Sequence, residues 1–191
     1  MKVQFVIKQP GFLRYLGFVI PELLNRGHDV HVDIEQSPLN DEDGLIKEYS
    51  RNSRFSVGTL PARKDRWARF LMGWRQFVDL SHYLHPEFRK TPFLVTRAQE
   101  SVPFHYQLVF QTLRKAVGAY RSVVSLTLRC LRWVEDGAPS FFGMIAHLRE
   151  VDADVVVVTG LVWPQSPQGE VIKVCRKLKT PTVYMVNSWD N

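Results

Sequence analysis

The sequence predicts an α/β fold: a Rossmann-like parallel sheet with helices on both faces and a helical insertion in the middle. Three observations predict it. Near the amino end, the β-branched run Val3-Gln4-Phe5-Val6-Ile7 leads through a helical stretch to Val30, Val32 and Ile34, which alternate with His31 and Asp33. Strand, helix, strand in so short a span is a βαβ unit, whose strands run parallel. Near the other end, Val155 to Val158, a helical stretch and Pro181 to Val186 repeat the pattern. Between about Ala62 and Glu135 the alternation stops and apolar residues recur only at helical spacing, which marks 62–135 as an insertion within one domain.

Each element has its own justification. Val3–Ile7 is apolar throughout, as a strand buried on both faces must be. Pro10-Gly11 breaks it. Leu13, Leu16, Val19, Ile20, Leu23 and Leu24 form one helical stripe, and Gly27 stands where a helix end favours positive φ. Pro21 conflicts with a regular helix from Leu13, so the helix is kinked or becomes regular only near Pro21. A loop from Gln36 precedes a helix over Asn40 to Arg51, which Gly44 weakens. Arg54 to Leu60 reads as a third strand, stopped by Pro61. In the insertion, Asp65 to Leu84 is helical. Pro103 to Val134 is one long helix or two jointed at Gly118, with Leu108, Leu113, Val117, Val124, Leu128 and Leu131 on its apolar stripe. Ser140 is placed to cap a helix reaching Glu150. Val155 to Val158 should be buried at the centre of the sheet. Gln168 to Lys179 is helical, and Pro181 to Val186 is the last strand.

Composition narrows the class. Forty-five per cent of the 191 residues are hydrophobic, enough for a sizeable core. Cys130 and Cys175 lie far apart and give neither a disulfide framework nor a metal pattern. His82 and His85 are three apart, but no third ligand follows at a telling spacing, so no metal is expected. Met1-Lys2 runs straight into the first strand, leaving no room for a signal peptide, and no window holds the ~20 apolar residues of a membrane span. A reduced, cytoplasmic setting follows as the expectation. The net charge of +6 is uneven: Leu60 to Glu135 carries 13 Lys/Arg against 5 Asp/Glu. On a single helix Arg114, Arg121 and Arg132 fall within about 20° of one another, with Arg129 nearby. A basic, aromatic-rich amphipathic helix suits an anionic membrane surface; a solvated helical face is the plainer alternative. Nucleic acid is not an expected partner.

In an open parallel sheet, ligands meet the loops at the carboxyl ends of the strands. Three stretches occupy that edge: Gln9 to Arg14, Gly160 to Gln168 and Asn187 to Asn191. Gly11 allows close approach to the backbone, beside Phe12, and Arg14 suits a phosphate or carboxylate. Trp163 and Trp189 offer flat apolar faces, and Gln165, Gln168, Asp190 and Asn191 supply donors and acceptors for hydroxyls. Glu35 ends the second strand, where dinucleotide folds place a ribose-binding acid, but the GxGxxG fingerprint is absent.

The strand with Pro10-Gly11 and Arg26-Gly27-His28, the Asp154-Val155-Val156-Val157 strand, and Pro181-Thr182-Val183 followed by Ser188-Trp189-Asp190-Asn191 together resemble the N-terminal half of GT-B-type glycosyltransferases. The Ser-Trp-Asp-Asn ending is the most specific of these, and the basic middle is matched only loosely. The resemblance implies two Rossmann-like domains across a cleft. The N-terminal domain binds a glycan or lipid-linked acceptor, and a C-terminal domain beyond this chain binds the nucleotide-sugar donor. No other cofactor is implied. The sugar would be transferred at the cytoplasmic side, with the protein peripheral on the inner face of the membrane. Related inverting enzymes often place a catalytic histidine where this chain has Phe12, so Asp190 is the best remaining carboxylate for a general base, with a helix N-cap as its alternative. Sugar-nucleotide 2-epimerases share the fold, and some transferases use a separate non-catalytic, membrane-docking acceptor subunit.

Overall fold

The computed structural model describes residues 1–35, 44–117, 120–159 and 166–186. Five strands, β1 (Lys2–Ile7), β2 (Asp29–Ile34), β3 (Phe55–Thr59), β4 (Val155–Val158) and β5 (Thr182–Tyr184), form one all-parallel sheet in the order β3-β2-β1-β4-β5. The chain winds outward from β1 through β2 to β3, then returns to the other side of β1. The β1–β4 boundary is therefore the switch point, where crossovers leave for opposite faces.

The chain divides into two compact units. The first, 1–63 with 140–191, holds the sheet. On one face Leu13, Leu16, Ile20, Leu24 and Tyr49 pack against Val3, Phe5, Ile7, Val32 and Ile34. These come from a 3-10 turn (Pro10–Leu16), α1 (Val19–Asn25) and α2 (Leu45–Tyr49). On the other face Met144, Leu148, Val171, Val174 and Cys175, from α7 (Phe142–Val151) and α8 (Gln168–Leu178), pack against Val6, Val156 and Val158. Pro21 sits in the first turn of α1, where its missing N–H costs nothing, so the regular helix begins only at Val19. Gly27 has φ +80°, as its place after a helix requires. α2 begins after Gly44, whose φ is +66°.

Two sequence expectations need correction. Ser140 does not cap α7: its hydroxyl is buried without a partner, and the Phe141 N–H donates instead to Glu170 Oε1 at 2.8 Å. The four valines of β4 are not all fully buried. Val156 and Val158 are, but Val155 and Val157 are only half-buried. Val157 pairs with Val183 of the edge strand, which is itself 49% exposed, so helical cover thins out on that side of the sheet.

The second unit, 64–139, comprises α3 (Trp67–Ser81), α4 (Pro92–Glu100), α5 (Phe104–Val117) and α6 (Arg121–Gly137). Its core joins Phe77, Leu80, Leu84, Val95, Val102, Phe110, Val124 and Leu128. Trp74 stacks on Phe70 and donates its indole N–H to the Leu131 carbonyl at 3.0 Å. Of the two readings of 103–134, one long helix or two, the second holds, as α5 and α6, so Arg114 shares no helix with Arg121 and Arg132. Their coincidence in phase does not hold. No helix among the described residues is long and apolar enough to cross a membrane.

Candidate functional site

At the carboxyl edge of the sheet the ends of β1, β2 and β4 are tied together by polar groups. The Glu35 N–H donates to Ile7 O at 3.0 Å, which holds the residue after β2 against the end of β1. Its Oε1 accepts from Ser166 Oγ at 2.7 Å and from Gln168 Nε2 at 2.6 Å. The other end of the Gln168 amide accepts the Thr159 N–H at 3.0 Å, and Thr159 Oγ1 donates to Val6 O at 3.0 Å. Each contact joins a different strand end or the start of α8, so the cluster straddles the switch point. Burial pushes the Glu35 carboxyl above its usual range; the hydrogen bonds from Ser166 and Gln168 and the Lys8 charge only partly offset this. A half-buried carboxyl of raised proton affinity at a switch point suits hydrogen bonding to a hydroxyl-rich ligand.

The expected site residues divide accordingly. Gly11, Phe12 and Arg14 lie on this edge, in the turn after β1; Arg14 is exposed and its Nε donates to Gly11 O at 3.2 Å. Phe12 packs on the apolar layer and meets Tyr15 edge-on at 5.7 Å. Gln168 is on the edge but fully buried. Its amide is committed to Thr159 and Glu35, so it positions Glu35 and does not itself face a ligand. Trp163, Gln165, Trp189, Asp190 and Asn191 lie outside the described residues.

The guanidinium groups of the basic segment are partly engaged within it. Arg121 pairs with Glu87 at 3.0 Å, and Arg132 donates to His82 Nε2 at 3.0 Å. Burial and the adjacent guanidinium hold His82 below its ordinary pKa, so it remains a neutral acceptor. Arg129 is exposed and Arg114 half-buried. Leu126 and Trp133, seven residues apart on α6, are exposed at 62% and 76%.

A second polar cluster lies within the sheet layer. Strand pairing aligns Gln4 with His31 and Ser56, and Val6 with Asp33 and Gly58, on the face that α7 and α8 cover. Asp33 is wholly buried. Its Oδ2 accepts from His147 Nε2 at 2.8 Å and from Gln4 Nε2, and its Oδ1 lies 3.3 Å from His31 Nε2. Burial would raise the Asp33 carboxyl, but the His147 and His31 hydrogen bonds outweigh it and hold it well below the usual carboxylate range. The same contact with Asp33 raises His147 against its burial. Among the described residues, these three are the His, Cys, Asp or Glu side chains that converge within a metal ion's reach.

Sequence reasoning set Glu35 aside for want of the glycine fingerprint, and it missed the His31–Asp33–His147 cluster. One signal was present. A buried parallel strand should read as continuously apolar, yet β2 carries His31 and Asp33 on one face. Comparison with family models, with curated proteins and with solved structures finds no match.

Proposed function

We propose that this chain is the acceptor-binding part of a GT-B-type glycosyltransferase, with the acceptor seated on the carboxyl edge of the sheet. The observation that carries the reading is the Glu35–Ser166–Gln168 cluster, which bridges the ends of β1, β2 and β4 at the switch point. A sugar hydroxyl is both donor and acceptor, and a carboxyl of raised proton affinity can serve it in either role. On this reading a nucleotide-sugar is held by a second domain. An acceptor hydroxyl loses its proton to Asp190, and the freed oxygen attacks the anomeric carbon as the bond to the nucleotide diphosphate breaks. Arg14, exposed on the same edge, suits the phosphate of a lipid-linked acceptor, and a cytoplasmic, membrane-peripheral location goes with such an acceptor.

The test is a transferase assay on the protein carrying its donor domain, with nucleotide-sugars against glycan and lipid-phosphate acceptors. Asp190→Asn is expected to lower kcat at least ~100-fold, as loss of a general base does. Glu35→Gln is expected to raise the acceptor KM about 10-fold with little change in kcat, as loss of uniform binding does. Absence of transfer to every acceptor class, or a Glu35→Gln protein with unchanged kinetics, would overturn the reading.

A further inference from the structure

Asp33 is an anion buried in a sheet face, and three side chains converge on it. His31 stands two residues before it on the same strand, so both project to the same side. His147 descends from α7, 114 residues away in sequence. The two imidazoles turn the same atom, Nε2, toward one carboxylate, at 3.3 and 2.8 Å. The other nitrogen of His31 is engaged: Nδ1 lies 2.8 Å from Ser56 Oγ, the neighbour that register brings opposite it on β3. An outer partner of this kind fixes the ring so that Nε2 points inward, as metal-ligating histidines are usually held.

Two further observations point to a ligand. Gln4, fully buried and opposite His31 on β1, donates through Nε2 to Asp33, while its Oε1 has no partner. A buried amide oxygen without a donor is costly, and a nearby cation is the kind of group that relieves it. Gly58 makes room for the cluster. A Cβ there would lie 2.6 Å from Asp33 Oδ1 and 2.9 Å from His31 Nε2, closer than side-chain carbons come.

We infer that His31, Asp33 and His147 form a binding site for a first-row transition-metal dication of the Zn2+ type. The donor set argues for that class. Two imidazoles and one carboxylate suit borderline ions such as Zn2+ and Co2+, whereas Ca2+ and Mg2+ require mostly oxygen ligands. The three donor atoms lie within 4.8 Å of one another. A zinc ion bonds such ligands at about 2.0–2.2 Å, so modest rotation of the two half-buried rings closes the cage. Three protein ligands leave a fourth position, which Gln4 Oε1 or a water can take. Each ring would ligate through Nε2 as a neutral imidazole with its proton on Nδ1: a neutral ring shifts its proton there, where that of His31 meets Ser56 Oγ, and a protonated ring releases its Nε2 proton to solvent.

The test uses the chelator-treated chain and Zn2+ or Co2+ alone. Calorimetry should give one Zn2+ per chain with a Kd near or below about 1 μM, and Co2+ should develop visible ligand-field absorption. His31→Gln and His147→Gln should each weaken Zn2+ binding by at least ~100-fold, the upper end of what even outer-partner changes do, and Ser56→Ala by about 10-fold. His105→Gln, a change in the other unit, should leave it unaltered. Should the histidine variants not fold, 15N-detected imidazole spectra of the unaltered chain still decide. Zn2+ must shift His31 and His147 Nε2 and leave His105 in place. A Kd weaker than about 1 mM, undiminished binding in both folded histidine variants, or unmoved His31 and His147 resonances would overturn the site and leave a buried ion pair.

Discussion

At the scale of single residues, the polar groups inside this α/β layer are held by register. His31 and Asp33 face the α7 side because strand side chains alternate, and β1 and β3 supply Gln4, Ser56 and Gly58 at the matching positions. Gly58 is the most sensitive of these. A methyl group there meets two side chains fixed by hydrogen bonds, so neither can withdraw without breaking one. Gly58→Ala is therefore expected to destabilise the protein by about 1–3 kcal/mol, the usual cost of overpacking. Gly137→Ala serves as the contrast. It ends α6 with nothing within 4 Å of an added Cβ, so the change should be neutral or slightly stabilising. Urea unfolding of both variants checks the pair; equal midpoints would mean the cluster tolerates the methyl.

At the scale of elements, the local code was readable wherever one residue type sets the conformation. Val3 to Ile7 announced a buried strand, Gly27 a helix end, and Pro21 the late start of α1. It failed where a distant partner decides. Ser140 has the chemistry of a cap, but Glu170, on the next helix of the layer, took the Phe141 N–H. The same limit hid His147, because nothing near residue 147 signals that α7 will lie over Asp33. The two candidate caps can be separated. Glu170 is 3% exposed and also lies 3.4 Å from Arg63 Nη1, so Glu170→Ala strands a backbone N–H and removes a carboxylate contact of a guanidinium. Hydrogen bonds to charged groups contribute about 1.5–3 kcal/mol each, and a loss of at least about 2 kcal/mol is expected. Ser140→Ala removes a hydroxyl that is already without a partner and should cost nothing measurable. Thermal unfolding of the two variants tests this; a larger loss for Ser140→Ala would restore it as the cap.

At the scale of the whole molecule, charge is distributed unequally. The stretch from Leu60 to Glu135 holds 13 of the 25 basic residues and 5 of the 19 acidic ones. The sequence alone shows that excess but not how it is spent: Arg75 pairs with Glu135 at 2.7 Å, Arg121 with Glu87, and Arg132 contacts His82. What α6 offers outward is narrower, with Arg129 beside the exposed Leu126 and Trp133. We propose that this exposed patch lets α6 rest in the headgroup region of an anionic bilayer, the arginine meeting the headgroups and the indole the acyl boundary. Each basic residue near such a surface contributes on the order of 1 kcal/mol, and salt screens it within a Debye length of about 10 Å at 0.1 M. The chain is therefore expected to co-sediment with phosphatidylserine-containing vesicles at low salt and to be released at high salt. Arg129→Glu should weaken the low-salt binding about tenfold, because it replaces an attraction with a repulsion. Trp133→Ala should weaken binding at every salt concentration, since the indole contributes buried apolar area and not charge. Arg121→Ala should matter less than either, because its charge is already met by Glu87. Equal binding to neutral and anionic vesicles, or a protein indifferent to both Arg129→Glu and Trp133→Ala, would return α6 to the role of a solvated helix face.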